Sequence, residues 1–176
     1  MKRELKEPSS ALLVVAVFWQ KAFENEYKEI FKNVPEWVSL EFGKKLGPSS
    51  SVFNFDQTSY YEKEMGAELK KVFVQIGDPV SRDGLVKFKI RSREIEDQFL
   101  NSTGSRLVNI DPMIVSIENV VVSTSKNFPH RIYLGHGVFG DLQLIRRKGG
   151  YEGLPWTYKD YVEQIPYFDS LAQNGL

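Results

Sequence analysis

The sequence predicts an α+β protein built on a largely antiparallel sheet with helices on one face. Three features predict this class: an apolar β-branched run near the start, two stretches with helical spacing, and a series of short β-rich segments in the second half. Along residues 11–110 the order is strand, helix, strand, strand, helix, strand, which matches the ferredoxin-like βαββαβ arrangement. We expect C-terminal strands and a helix to add to that core.

The composition is typical of a soluble globular protein, with 176 residues of which 41% are apolar and 26% charged. We expect a flexible tail over residues 1–10 and a single domain over 11–176. Lys plus Arg and Asp plus Glu both total 23, which argues against a general nucleic-acid or membrane coat. The absence of cysteine excludes disulfides, thiolate metal sites and cysteine nucleophiles.

The first half of the chain begins with a predicted buried strand over residues 11–18, because this run is apolar, rich in β-branched residues and short. A bilayer-spanning helix needs about 20 residues. This run is too short for that, so we expect a cytoplasmic protein.

The apolar residues of 22–34 share one helical face and predict a helix. A second short helix follows over 35–47, closed by glycine and proline. Residues 51–56 and 69–76 then form a hairpin.

Residues 81–101 fit two structures. Val86, Phe88 and Ile90 alternate as in a strand, whereas Leu85, Phe88 and Ile95 share a helical face. The length of the segment, and an N-cap at its start, favour the helix.

After Gly104 the chain is β-rich, and turn-prone pairs such as Asp111-Pro112 divide it. A final helix is predicted over 157–171, with a break near Pro166. The predicted strands are 106–110, 113–117, 120–124, 131–134 and 138–145.

The strongest candidate site lies around His130, in the one region whose charge is unbalanced. Between Asn119 and Tyr151 a single acid, Asp141, accompanies five cations: Lys126, Arg131, Arg146, Arg147 and Lys148. Arginine holds phosphate or carboxylate through paired hydrogen bonds, and histidine donates a hydrogen bond or moves a proton. We therefore predict an anion held by Arg131 and Lys126 beside His130. The sequence supports equally a cationic hairpin in which His130 only makes a hydrogen bond that stabilises the fold.

Two acids elsewhere are catalytic candidates together with His130. Asp111 ends a predicted strand, where it can orient a histidine or hold a metal or hydroxyl; Arg106 and Asn109 on the same segment are ligand-binding candidates. Glu64 follows Tyr61 in an aromatic and acidic cluster, and these two can supply a base and a stacking ring. The alternative for Asp111 is a residue that caps a turn. The alternative for the cluster around Glu64 is a solvated hairpin.

Four further residues complete the predicted ligand site. Trp156 and Tyr158 can stack on a base or sugar ring, although packing of the C-terminal segment explains them more simply. Tyr133 shares the strand of Arg131. Asp141 contributes an acid, with surface pairing to nearby arginines as the alternative.

Several complete motifs are missing from the sequence. There is no phosphate loop of the G-x-x-x-x-G-K-S/T type, no G-x-G-x-x-G turn and no H-E-x-x-H zinc motif. The G-x-S-x-G nucleophile turn and the aromatic RNA-binding pattern are missing too. The sequence therefore assigns no cofactor, metal or reaction by motif.

Five segments in order along nearly the whole chain resemble a prokaryotic family, domain of unknown function family 4416. Automatic labels sometimes call its members GTP-binding; without a phosphate loop, the resemblance would require cations on the phosphates and an aromatic ring on the base. The chain departs from the family pattern at Met113 (glycine), Asp141 (glutamate) and Lys159 (proline). The segments are Thr58-Ser59-Tyr60-Tyr61-Glu62-Lys63-Glu64-Met65-Gly66, Val108-Asn109-Ile110-Asp111-Pro112, Ser123-Thr124-Ser125-Lys126, His130-Arg131-Ile132-Tyr133-Leu134 and Trp156-Thr157-Tyr158-Lys159-Asp160-Tyr161.

Three functions follow as expectations. The first is binding of a small phosphate- or carboxylate-bearing ligand, with nucleotides included. The second is a metal-assisted hydrolase or phosphoryl-handling enzyme that uses His130, Asp111 and Glu64. The third is a scaffold or RNA-associated protein, against which the zero net charge argues.

Overall fold

A computed structural model describes residues 4–55 and 65–176, which form the mixed α+β structure that the sequence predicts. Among these residues, no helix is long and apolar enough to cross a membrane. The described strands are β1 (Ala11–Gln20), β2 (Leu46–Ser49), β3 (Phe53–Asn54), β4 (Leu69–Val80), β5 (Val108–Val115), β6 (Asn119–Thr124), β7 (Arg131–Gly135), β8 (Val138–Arg147) and β9 (Gly150–Gly153). The described helices are α1 (Lys28–Phe31), α2 (Val34–Glu41), α3 (Leu85–Glu96), α4 (Lys159–Glu163) and α5 (Ile165–Gly175).

The described strands form one open sheet in the order β2-β4-β1-β5-β6-β8-β7, with β3 on β4 and β9 on β8, and every pairing between them is antiparallel. The order β2-β4-β1-β5 is consistent with the predicted ferredoxin-like core. The later strands extend the sheet beyond β5, as the sequence predicts.

Strand β1 lies inside the sheet, between β4 and β5, and is buried on both faces. Its odd-numbered residues, such as Val15, pack with Val38 of α2 and Ile95 of α3. Its even-numbered residues, such as Val14, pack with Phe168 of α5. The helices of the core therefore cover one face of the sheet and the C-terminal helix covers the other. This double burial explains why the sequence of β1 is a continuous apolar run rather than an alternating one.

The predictions between β1 and β4 are partly wrong. The helix expected over 22–34 is a 3₁₀ turn at Lys21–Glu24 followed by the single helical turn of α1. The amide of Lys21 still donates to the carbonyl of Glu68, so sheet pairing overrides the helical pattern there. The second helix ends at Glu41, and Gly47 and Pro48 lie in β2. Proline is tolerated in β2 because this strand lies at the edge of the sheet.

Two uncertain predictions are confirmed. Residues 85–96 form helix α3, preceded by a short 3₁₀ turn, because the buried positions Leu85, Ser92 and Ile95 follow a helical period. The C-terminal helix is broken at Gln164, between α4 and α5, just before Pro166.

The turn predicted at Asp111-Pro112 is wrong, because both residues lie inside β5. Pro112 is paired with Val15 of β1, while its carbonyl accepts a 2.6 Å hydrogen bond from the Ser123 hydroxyl on the β6 side. The amide nitrogen and the carbonyl of one residue point to the same side of a strand. The nitrogen of Pro112 therefore faces β6, and its lack of a hydrogen costs no hydrogen bond to β1. On β5, the described pairing with β6 covers only residues 113–115, and the two strands part at Pro112.

The packing of α5 gives the first prediction. Phe168 is fully buried against the rings of Phe73, Tyr161 and Tyr167. Replacing it with alanine should lower the free energy of unfolding by about 3–5 kcal/mol, because the cavity left there is enclosed. Urea denaturation measures the change. Val162→Ala, at an exposed position of α4, is the matched control and should cost less than about 1 kcal/mol; equal losses would contradict the packing of α5.

Candidate functional site

A cavity of about 720 Å³ opens where β5 and β6 part, on the face of the sheet that the C-terminal segment covers. Side chains of β5, the end of β6, the segment 156–161 and helix α3 line it. Helix α3 lies on the opposite face, and its Lys89 and Arg93 reach the cavity at the unpaired edge of β5. The site is therefore a consequence of the gap in the sheet.

Two side chains of α3 replace the missing neighbouring strand at Ile110. The Ile110 amide donates to Oε1 of Glu96 at 2.6 Å. The Ile110 carbonyl accepts from Nζ of Lys89 at 3.2 Å, and the same ammonium donates to Oδ1 of Asp111 at 2.8 Å. Buried backbone groups must be bonded, so Glu96 and Lys89 satisfy this edge and place a cation beside Asp111.

A second chain of hydrogen bonds runs along the same edge. Nη1 of Arg106 donates to Glu96 at 3.2 Å and to Oδ1 of Asn109 at 2.8 Å. Nδ2 of Asn109 donates to Oδ2 of Asp111 at 2.7 Å. Both carboxylate oxygens of Asp111 therefore accept a hydrogen bond inside the protein, and the carboxylate is fixed in orientation.

The two carboxyls of this network have opposite pKa shifts. Burial works against ionisation of Asp111, but Lys89, Lys71 and Asn109 together outweigh it and hold the pKa of Asp111 below its ordinary value. Burial, together with the nearby charge of Asp111, raises the pKa of Glu96 despite the opposing Lys89, Ile110 amide and Arg106. Asp111 is therefore the more acidic of these two carboxyls.

The inner end of the cavity contains a buried ion pair among aromatic rings. Nζ of Lys71 on β4 donates to Asp160 of α4 at 2.6 Å. The same ammonium lies 4.5 Å from the ring centre of Phe55 and 5.0 Å from that of Tyr161. Burial, and then the charge of Asp160, raise the pKa of Tyr161 well above its ordinary value. The pair joins α4 to the sheet and leaves this end electrically neutral.

Asp141 of β8 organises the outer wall. Its Oδ2 accepts from Nε of Arg131 at 2.7 Å, and its Oδ1 accepts from Nε2 of Gln143 at 2.7 Å and lies 3.3 Å from Nε2 of His130. Arg131 also donates to the hydroxyl of Tyr158 at 3.0 Å, and the Tyr158 amide donates to Gln143 at 3.0 Å. The sequence offered a surface ion pair between Asp141 and a nearby arginine as an alternative. Asp141 does pair with an arginine, Arg131, but it is buried, so the pair does not lie on the surface.

His130 is held by ring stacking as well as by its contact with Asp141. Its ring lies parallel to that of Trp156, with ring centres 5.0 Å apart and planes 17° apart, and Phe128 packs edge-on against it at 5.6 Å. Nε1 of Trp156 donates to the Leu142 carbonyl at 2.8 Å. The indole therefore both anchors the C-terminal segment to β8 and orients the imidazole.

The structure brings most of the predicted residues together. Tyr133 does not belong to this group: it is exposed on β7, packs on Phe139 and lies outside the cavity lining. The predicted Tyr61 and Glu64 lie outside the described residues. Among residues 4–55 and 65–176, no three histidine, aspartate or glutamate side chains form a group that could hold a metal ion. The predicted residues that line the cavity are Lys126, His130, Arg131, Arg106, Asn109, Asp111, Asp141, Trp156 and Tyr158.

Sequence reasoning missed the residues that come from the core. Lys71 is a cation within an apolar strand, and Lys89 occupies a buried position on the apolar face of α3. A charge at a core position is rare unless it has a partner, so both lysines were detectable in principle. Asp160, Arg93 and Phe55 show no comparable pattern in the sequence.

The pKa of Asp111 gives a prediction about acid stability. Because its folded-state pKa is below the ordinary value of 3.8, the ion pair stabilises the fold above pH 3.8 and loses this effect as pH falls through the folded-state pKa. Asp111→Asn should therefore lower the free energy of unfolding by about 1–3 kcal/mol at pH 7, and by less below pH 3.8. Chemical denaturation at both pH values tests this. The exposed Asp78→Asn is the control, and a pH-independent loss for Asp111→Asn would refute the ion pair.

Comparison with known proteins places the chain in a family. Neither a curated protein nor a solved structure matches it. A family model described as a domain of unknown function (DUF4416) matches residues 9–172, which include every described strand and nearly all of the described helices. The resemblance seen in the five sequence segments is thus confirmed, and the chain belongs to the DUF4416 family.

Proposed function

We propose that this protein binds a small phosphate- or carboxylate-bearing anion in the cavity between β5, β6 and the C-terminal segment. One observation supports this above all: the described lining holds six lysine or arginine side chains but three carboxylates, an excess of three positive charges before His130 is counted. The cations are Lys71, Lys89, Arg93, Arg106, Lys126 and Arg131, and the acids are Asp111, Asp141 and Asp160.

The three lining carboxylates are already neutralised by three of these cations. Lys71 is paired with Asp160, Lys89 with Asp111, and Arg131 with Asp141. The other three cations of the described lining are Lys126, Arg93 and Arg106, of which Arg106 is also paired with Glu96 outside the lining. Cations concentrated in a cleft with low-dielectric walls attract and hold anions.

This distribution changes the roles expected from the sequence. Three donors of the Arg131 guanidinium are directed to Asp141, the Lys126 carbonyl and the Tyr158 hydroxyl. We therefore assign Arg131 to positioning the wall. The anion itself is assigned to the exposed Lys126 and Arg93, with Arg106 and His130 beside them.

The proposal predicts the effect of removing one anchor. Lys126→Ala should weaken binding of phosphate-bearing ligands about tenfold or more, because a charge-assisted hydrogen bond contributes roughly 1.5–3 kcal/mol. The shift in melting temperature with phosphate, pyrophosphate, tripolyphosphate, citrate and nucleotides measures this, at low and high salt.

Lys148→Ala is the matched control, because Lys148 is exposed and lies outside the cavity lining. It should leave the ligand response unchanged. The proposal fails if no anion in the panel raises the melting temperature at low salt, or if the two variants lose the response equally.

A further inference from the structure

The positions of the hydrogen atoms around Asp141 follow from one backbone amide. The Tyr158 N–H can only donate, so the Gln143 atom that it meets at 3.0 Å is the amide oxygen. The Gln143 nitrogen therefore faces Asp141 and donates to Oδ1 at 2.7 Å, while Nε of Arg131 donates to Oδ2 at 2.7 Å. Both oxygens of Asp141 are thus acceptors, as an ionised carboxylate requires.

This arrangement fixes the neutral form of His130. Nε2 of the imidazole lies 3.3 Å from Oδ1 of Asp141. A hydrogen on Nε2 is attracted to that oxygen, whereas a lone pair there would face another acceptor. A neutral imidazole has one N–H, so Nδ1 then carries only a lone pair. His130 is therefore a donor towards Asp141 and an acceptor at its other nitrogen.

Nδ1 is the nitrogen of His130 that remains for the cavity. The side chain lines the cavity and is 19% exposed, with Trp156 stacked on its face and Phe128 edge-on against it. No described hydrogen bond involves Nδ1. In the described part of the chain, the buried side-chain atom that lacks a partner is Nη1 of Arg146, not this nitrogen. Solvent or a ligand can therefore reach Nδ1.

Protonation reverses the character of Nδ1. In the neutral ring its lone pair repels an anionic oxygen, whereas in the imidazolium its N–H donates a charge-assisted hydrogen bond. Histidine changes between these forms at about pH 5–8. We infer that His130 makes anion binding proton-dependent: the anion binds together with a proton from solvent, which His130 holds on Nδ1. This inference rests on the proposed function and adds its dependence on pH.

Other groups near the imidazole respond differently to pH. Burial raises the pKa of Tyr158, so its hydroxyl keeps its proton. Although burial opposes them, Lys89 and then Lys71 lower the pKa of Asp111, so this carboxyl stays ionised between pH 5 and 8. Glu96, behind the lining, is a competing source of pH dependence because burial raises its pKa. Among the described residues, the charged groups that face the imidazole or its cavity are Lys126 and Arg131 on its own segment, Asp141 on β8, Arg106 and Asp111 on β5, Lys89 and Arg93 on α3, and Lys71 and Asp160 at the inner end.

Calorimetric titration of the full chain with pyrophosphate at pH 5 and pH 8 tests the inference. The gain in affinity at pH 5 should be about tenfold larger for the native protein than for His130→Gln, because the variant lacks the charge-assisted hydrogen bond from Nδ1. Glutamine keeps a donor for Asp141 but does not titrate. Pyrophosphate itself ionises in this range, and the comparison between the two proteins cancels that contribution.

Two further variants separate His130 from other titrating groups. His136→Asn is the matched control, because His136 is the other histidine of the chain and is exposed outside the lining of this cavity. Asparagine also tolerates its φ of 52°. The isosteric Glu96→Gln removes the competing carboxyl. Both variants should keep the full pH dependence of the native protein.

Nitrogen NMR of the two imidazoles gives a measurement that needs no change at His130, with His136→Asn to assign the signals. Without ligand, the neutral ring should carry its hydrogen on Nε2. Saturating pyrophosphate should raise the midpoint of the His130 titration by about one pH unit, because a tenfold preference for the protonated form corresponds to one pH unit.

The outcomes separate this inference from the proposed function. If His130→Gln keeps the native pH dependence, or if bound pyrophosphate leaves the His130 midpoint unmoved, the inference is wrong while anion binding stands. Loss of the pH dependence in Glu96→Gln would assign it to Glu96 and also overturn the inference. If pyrophosphate, phosphate and citrate bind at neither pH, the proposed function fails as well.

Discussion

The edge of β5 at Ile110 is the constraint on which the site depends. Pro112 ends the ladder with β6, and the backbone groups of Ile110 then need partners that no described neighbouring strand supplies. Glu96 and Lys89 supply them from the helix behind the sheet. A backbone requirement thus brings a carboxylate and an ammonium to the place where the strands separate, and the cavity forms beside them.

Ion pairs then hold the wall of that cavity in place. Lys71 with Asp160, and Arg131 with Asp141 and Tyr158, connect the C-terminal segment to the sheet. Breaking a buried pair by removing one partner generally costs about 3–5 kcal/mol, because a charge remains without compensation. The stability of the fold and the position of the cavity wall therefore depend on the same residues.

The sequence predicts those parts of the fold and of the candidate site that depend on neighbouring residues, and it fails where distant residues decide the structure. The strand β1 and helix α3 follow from their own apolar periods. Asp111-Pro112 looked like a turn because the sequence does not show which edge of a strand lacks a neighbour. The cluster of cations in the sequence predicts the part of the cavity lining around His130. Lys71 and Lys89 stand out as charges at core positions, but their partners lie 89 and 22 residues away along the chain, so the sequence alone does not place them at the cavity.

The short ladder between β5 and β6 has a mechanical consequence. Three described pairs join the two half-sheets across this seam: Met113 with Val122, Ile114 with Val121, and Val115 with Val120. Few hydrogen bonds resist a twist between the halves at that point. Arg93 and Arg106 belong to one half and Lys126 to the other, so an anion that touches all three would act as a brace, and its departure would release the torsional freedom of the sheet.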